Sequence, residues 1–354
     1  MREEFTFGPL PTRVVFGRGA VKSVRDEVVR AGFSRVLVLS SPGHAESAER
    51  LAADLGELAV GVHPHAVVHV PADVADRARA AARDLAADGC VAIGGGSAIG
   101  LAKAVALDGP PFVAVPTTYA GSEMTPVWGL TADGHKRTGR DERVRPRTVV
   151  YDPDLTDSLP VAVSVTSGMN ALAHAVEALY APDASPVVSL LAAEGVRALT
   201  GALPALVHDP GDPVARAAAL YGAWLCGTCL GATTMGLHHK LCHTLGGSFD
   251  LPHAGTHTVV LPHVLAYNAP AAPAAAAVLG EALGTDDPAL ALWELAGTLG
   301  APRSLRELGL TDDDVDRAVE LATADPYANP APVTADGLRA LLRAALDGHP
   351  PVGG

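Results

Sequence analysis

The chain has 354 residues, enough for two domains with separate cores, and is 48% hydrophobic but only 4% aromatic, a balance that suits helices packed through small side chains. A formal net charge of −13 leaves no basic stripe to neutralise phosphates and excludes a nucleic-acid binder. No run of about eighteen apolar residues occurs, and Met1-Arg2-Glu3-Glu4 carries no apolar signal core, so a cytoplasmic protein without membrane contact is expected.

The first half alternates strand and helix. Residues 35–40 (RVLVLS) form a β-branched apolar run closed by Ser41-Pro42-Gly43, and the spacing of 45–58 predicts a helix. A short strand is expected at 66–69 and a helix at 73–88. Residues 90–93 read as a strand entering Gly94-Gly95-Gly96-Ser97, followed by a helix to Leu107 and a buried strand at 111–115 before Pro116-Thr117-Thr118. Wholly apolar strands separated by helices imply a parallel sheet covered on both faces, whose ligands gather at the strands' carboxyl ends. Beyond Asp152 helical spacing takes over, in 164–180, 186–203, 213–230, 272–283, 288–299 and 312–322. The expected architecture is an α/β dinucleotide-binding domain with a Rossmann-like parallel sheet over residues 1–155, then an all-α catalytic domain over 156–354.

Chemistry concentrates in a few places. Gly94, Gly95, Gly96 and Ser97 lie between a strand and a helix, where glycines admit a pyrophosphate and the helix N-terminus offers free N–H groups. A bare tight turn is the other reading of such a run. Thr117, Thr118 and Ser122 follow the next strand and can bond a diphosphate or a nicotinamide amide, or simply cap a helix. The first strand ends in Ser40-Ser41 rather than an acid, so nothing there repels a 2′-phosphate, and NADH and NADPH both remain candidates with Ser41 as a contact. Cys226-Gly227-Thr228-Cys229 has redox or zinc spacing, but it lies in an apolar helix with no second such pair and reads as buried thiols. The basic run His135-Lys136-Arg137, continuing to Arg147, reads as a solvated loop or an anion contact.

Among 14 histidines, His44, His63 and His65 are assigned to structure or surface. Asn170 and His174 form an i,i+4 pair, as do His239 and His243, and His253 follows Pro252. Such pairs share a helix face, so these side chains suit either a metal site or an acid–base site.

The chain resembles the maleylacetate reductases, a branch of the iron-containing alcohol dehydrogenase superfamily. The likeness rests on the triple glycine, PTTYAGSE (116–123), SGMNALAHAVEALY (167–180), HHKLCHTLGGSF (238–249), LPHVLAYN (261–268) and YANP (327–330). It implies the dehydroquinate synthase-like two-domain architecture, a cleft between the domains, a homodimer, and NADH- or NADPH-dependent reduction of the C=C bond of maleylacetate to 3-oxoadipate in aromatic catabolism. In metal-dependent relatives an Asp and three His hold the ion; the matching positions here are Asn170, His174, His239 and His253, with His243 as an extra catalytic histidine. Lys136, Arg137 and Tyr119 become candidate contacts for the small dianionic substrate. Two positions depart from the pattern the resemblance implies: Ala331 where an Arg is expected, and Gly255 where an acid is expected.

Asn170 offers a neutral amide where a charged oxygen would bind a cation better, although three histidines alone can hold zinc. Hydride addition to carbon β to a ketone spreads charge onto an enolate that hydrogen-bond donors can stabilise, and carbon α then takes a proton from a group such as histidine. A metal-free reductase with His243 and His253 as leading acid or oxyanion groups is the preferred reading. The alternatives are a metal-dependent alcohol dehydrogenase or aldehyde reductase, a biosynthetic reductase of a related enone, and a non-catalytic dinucleotide binder.

Overall fold

A computed structural model describes residues 12–132 and 135–352, with Phe5, Phe7 and Gly8. The chain divides into two compact units, Pro9–Leu159 and one containing Pro160–Gly354.

The first unit runs β1 (Arg13–Phe16), α1 (Val24–Arg30), β2 (Val36–Leu39), α2 (Ala45–Leu55), β3 (Ala59–His63), α3 (Ala72–Asp84), β4 (Gly89–Gly94), α4 (Gly96–Ala106), β5 (Phe112–Pro116), β6 (Val127–Ala132), β7 (His135–Arg140) and β8 (Thr148–Tyr151). Its main sheet has the order β1-β8-β5-β4-β2-β3 with every neighbouring pair parallel. Strands β2, β4, β5 and β8 are buried along their whole length, which is why their sequences are apolar runs without alternation. On one face Val36, Val38, Val91, Ile93, Val113 and Val115 share a core with Val24, Val28, Leu51 and Leu55. The chain steps from β2 outward to β3, crosses back to β4, and continues the other way to β5. Strand order therefore reverses between β2 and β4, and the carboxyl ends there form the crevice in which such sheets take ligands.

Sequence reading needs several corrections in this unit. The helix expected at 45–58 ends at Leu55 and is followed by a 3₁₀ turn, Gly56–Leu58. No strand forms at 66–69; the strand is Ala59–His63, in register with β2. Pro64 separates two short apolar runs, and in the second His69 and Val70 turn to positive φ, which no strand tolerates. Strands β1 and β8 went unread although RVVF and TVVY carry the same β-branched signal as β2. The basic run expected as a loop is β7, paired antiparallel with β6.

Among its described residues the second unit is entirely helical: α5 (Val161–Tyr180), α6 (Pro186–His208), α7 (Pro213–Ala232), α8 (Leu237–Ser248), α9 (His253–Asn268), α10 (Pro273–Leu283), α11 (Pro288–Thr298), α12 (Asp314–Thr323) and α13 (Ala335–Asp347). Helix α6 continues past the expected end through Pro204, and α13 was not anticipated. Helix α6 is long and apolar enough to cross a membrane by length and composition alone, but it packs against α5, α7 and α10. Leu241, Leu245, Val260, Val264, Val315, Leu338 and Leu342 join α8, α9, α12 and α13 in one core.

Candidate active site

In the helical unit the site grows from a capping problem. Helix α8 begins after Gly236, which has no side chain to cap it, and a Cβ there would sit 2.8 Å from the Ala328 carbonyl. The cap comes instead from α5: Glu177, 1% exposed, accepts from the His238 N–H at 2.8 Å and the His239 N–H at 3.3 Å. A buried carboxylate meets the positive end of the helix in this way. Asn170, His174 and Glu177 recur at helical spacing, so α5 presents all three along one stripe.

From Glu177 a hydrogen-bond chain follows with its direction fixed. A carboxylate only accepts, so His239 Nδ1–H donates to Glu177 Oε2 at 2.5 Å. His239 Nε2 is then a lone pair and accepts from His174 Nδ1–H at 3.0 Å. That leaves His174 Nε2 as an acceptor, facing the Asn170 amide nitrogen at 3.4 Å. The amide orientation follows from this network. Asn170, His174 and His239 are all buried, at 4%, 4% and 6% exposure.

Around this chain lies a second imidazole group that sequence reading missed. His238 and His257, fully buried, are hydrogen-bonded Nε2 to Nδ1 at 2.9 Å, and the Cys242 thiol lies 3.6 Å from His238 Nε2. Burial, reinforced by neighbouring histidines, pushes both rings well below the ordinary histidine pKa and pushes the Cys242 thiol up. These three residues have metal-ligand spacing, but the facing ring nitrogens already satisfy each other. The signal was available: His257 follows His253 by one helical turn, as His243 follows His239.

His243 and His253, by contrast, are exposed. Their rings are 6.4 Å apart and nearly parallel, and each neighbours the buried set, His243 at 6.2 Å from His239 and His253 at 4.4 Å from His257. The five histidine and asparagine positions singled out from sequence thus do come together, with Glu177 as their unforeseen anchor. Beside them Ala331 lines a pocket of about 390 Å³ with Tyr327 and Asn329, and a Cβ at Gly255 would press on Leu308 at 3.1 Å.

In the sheet unit the expected cofactor residues also converge. Ser41 follows β2, Gly94, Gly95, Gly96 and Ser97 join β4 to α4, and Thr117 and Thr118 follow β5. Two of the glycines are required by geometry: a Cβ at Gly95 would come within 2.8 Å of Thr118, and Gly94 has a φ of 142°. Ser122 lies in the next turn, which a lysine holds from below. Lys103 Nζ, buried, donates to the carbonyls of Ser122, Thr125 and Val127 and to the Thr125 hydroxyl at 2.6–2.9 Å. Burial lowers its pKa to about 7, and beside it the Tyr151 hydroxyl donates to buried Glu123 at 2.7 Å.

The remaining substrate candidates fare differently. Tyr119 is fully buried, its hydroxyl 3.5 Å from Thr156, so its ring packs the loop from within instead of facing a ligand. Arg137 is exposed on β7, and the Lys136 side chain lies outside the described residues. His44, set aside as structural or surface, bridges Ser41 and Thr117. Cys226 and Cys229 are buried free thiols, as expected.

Two family descriptions match the chain: iron-containing alcohol dehydrogenase over residues 11–153, and the C-terminal part of the Fe-containing alcohol dehydrogenase family over 164–346. The chain is 57% identical to a maleylacetate reductase of Sphingobium indicum over 99% of both sequences. It is 53% identical to one from Burkholderia cepacia over 98% of this chain and 99% of the other. The crystal structure of maleylacetate reductase from Agrobacterium tumefaciens superposes with a TM-score of 0.96 at 50% identity, covering 99% of this chain and 100% of that one.

Proposed function

The chain belongs to the iron-containing alcohol dehydrogenase family, and we propose that within it the protein is an NADH- or NADPH-dependent oxidoreductase that reduces the C=C bond of maleylacetate to 3-oxoadipate. The observation that carries this is the full-length identity of 57% to a maleylacetate reductase. When bound, the reduced nicotinamide supplies hydride to the carbon β to the substrate's ketone. The protein's own residues manage the rest. His243 and His253 are the exposed imidazoles of the cluster, and one of them delivers the proton to carbon α while N–H groups stabilise the enolate oxygen. Behind them, the chain from Asn170 to Glu177 holds His239 in one tautomer and one orientation.

We infer that turnover needs no metal. The direct contact between His174 and His239, 3.0 Å apart, engages one nitrogen of each ring. The Asn170 amide and the Glu177 carboxylate engage the others. With these partners each lone pair on the two rings already accepts a hydrogen bond, which supports a hydrogen-bonded relay over a metal centre. An Asp at 170 would instead set an acceptor against the His174 Nε2 lone pair, an arrangement that a cation resolves. Asn170→Asp is therefore expected to lower turnover and to raise the zinc content of the purified protein. The metal-dependent alcohol dehydrogenase reading retains one supporting observation: a carboxylate on His239 Nδ1 is also how metal-ligating histidines are oriented.

The decisive assay mixes the protein with maleylacetate and each reduced dinucleotide, with and without chelator. Oxidation of the dinucleotide in both conditions is expected; no oxidation with either cofactor ends the proposal, and loss only with chelator moves it to the metal-dependent reading. We also place the enzyme in the cytoplasm, where the free thiols Cys90, Cys226, Cys229 and Cys242 stay reduced, and read it as a homodimer, which light scattering of the purified protein would test.

A further inference from the structure

The structure assigns His44 to the dinucleotide site: its imidazole joins the adenosine side of that site, at Ser41, to the phosphate side, at Thr117, and makes the protein favour the 2′-phosphorylated cofactor increasingly as pH falls. The assignment rests on the dinucleotide-dependent reading above and goes beyond it.

Position comes first. Ser41 closes β2 and Gly94 closes β4, the two strands between which the order of the sheet reverses, so the turn Pro42–His44 stands at the crevice where a dinucleotide lies. His44 Nδ1 is 3.1 Å from the Ser41 hydroxyl and Nε2 is 3.2 Å from the Thr117 hydroxyl. Between these strand ends the backbone of Gly94 passes beneath, so close that a Cβ there would lie 4.0 Å from Nδ1. One ring thus spans from β2 across β4 to β5.

The chemistry follows from proton counting. A neutral imidazole has one donor and one acceptor. It therefore takes a proton from one hydroxyl and gives one to the other, leaving a single hydroxyl hydrogen to point at a ligand. A protonated ring donates to both oxygens, and both hydroxyls then turn their hydrogens outward. An anion lying against Ser41 and Thr117 favours that second state through its charge and by accepting both hydrogens. Ser41 occupies the position from which such folds read the ribose 2′ group, and a 2′-phosphate adds its charge there while a 2′-hydroxyl adds none. In the free protein burial holds the ring below the ordinary histidine pKa, and among the described residues no charged side chain contributes to that shift. The pyrophosphate common to both dinucleotides acts on Thr117 alike, so the 2′-phosphate at Ser41 makes binding of the phosphorylated one take up the larger share of a proton.

Equilibrium titration with NADPH and with NADH, followed by nucleotide fluorescence and without substrate, tests this independently of turnover. From about pH 8 to pH 6.5 the NADPH/NADH affinity ratio of the native protein is expected to rise about threefold to tenfold, tenfold per pH unit being the ceiling for one linked proton. In His44→Asn and His44→Gln the rise disappears, while any contribution from the 2′-phosphate's own titration near pH 6 remains. The assignment is overturned if the ratio in native protein is flat, if its slope survives in both variants, or if both cofactors weaken equally at every pH. A variant that fails to fold is recognised by its melting curve and replaced in the comparison by Ser41→Ala, which breaks the same link and is expected to flatten the same slope.

Discussion

Two pairs of histidines, drawn from the same two helices, differ chiefly in how deeply they lie. His243 and His253 are exposed, whereas His238 and His257 are fully buried. His238 lies in the first turn of α8 and His243 five residues further on, while His253 opens α9 and His257 follows one turn later on the same face. A shift of about one turn along a helix is enough to turn a reagent into scaffold. In the buried pair, desolvation keeps both rings neutral, so neither can hold a proton ready for transfer. The exposed pair keeps access to water and to a substrate. Residue type therefore says little about role here, and depth in the fold says much.

The largest effect should come from the exposed pair. His243→Ala and His253→Ala are expected to lower kcat by about 10²–10⁴ for the one that acts as proton donor, and less for the other. Melting temperature should change little in both, because both rings are exposed. A fall in melting temperature that tracks the loss of activity would erase the distinction drawn between the pairs.

Glu177, which holds the start of α8 and the His239 ring, comes next. Glu177→Ala removes the acceptor of two α8 backbone N–H groups and of the His239 ring. Leaving buried donors without their acceptor costs about 1–3 kcal/mol each, so the urea midpoint should drop and activity with it. Glu177→Gln keeps one acceptor oxygen and should lie between. Native stability in Glu177→Ala would mean that the α8 cap is not what holds the site.

Buried neutral histidines also make the helical unit acid-sensitive. Burial lowers His263 to about 4, and His238 and His257 shift the same way. Once unfolded, all three return to the ordinary value of about 6.5. Below that pH the unfolded chain binds protons that the folded one refuses, so stability falls as pH falls, and it goes on falling until the folded pKa is reached. His263 alone accounts for up to about 3 kcal/mol across that window. Melting temperature measured from neutral pH down should decline, and His263→Gln should decline less steeply; an identical slope would remove His263 as a cause.

The contrast between the pairs also explains what could be read from sequence. The α/β-then-helical order was legible because buried strands such as VLVL and long helical repeats are local signals, and the histidine set was legible because i,i+4 spacing is local too. Glu177 was overlooked because its work lies across the fold, capping a helix that starts 60 residues later. His257 and His44 were overlooked because each looked like one histidine among many until tertiary contacts gave it partners. The hairpin β6–β7 was lost because its basic residues outweighed the alternation beneath them. Tyr119 misled in the opposite sense, since a tyrosine in a ligand loop is as readily buried as presented.

The smallest expected effect is the sharpest test of the buried pair. Cys242 packs beside His238 with a weak thiol contact at 3.6 Å and behaves as a small apolar side chain. Cys242→Ala should cost on the order of 1 kcal/mol through the space it leaves, with kcat within about twofold of native because no proton passes through that contact. Cys242→Ser places a shorter hydroxyl in the same dry surroundings and should cost slightly more, again without a change in kcat. If either variant kept its melting temperature yet lost more than tenfold in kcat, the buried imidazoles would be carrying protons during turnover. Facing inward would then no longer distinguish scaffold from reagent in this protein.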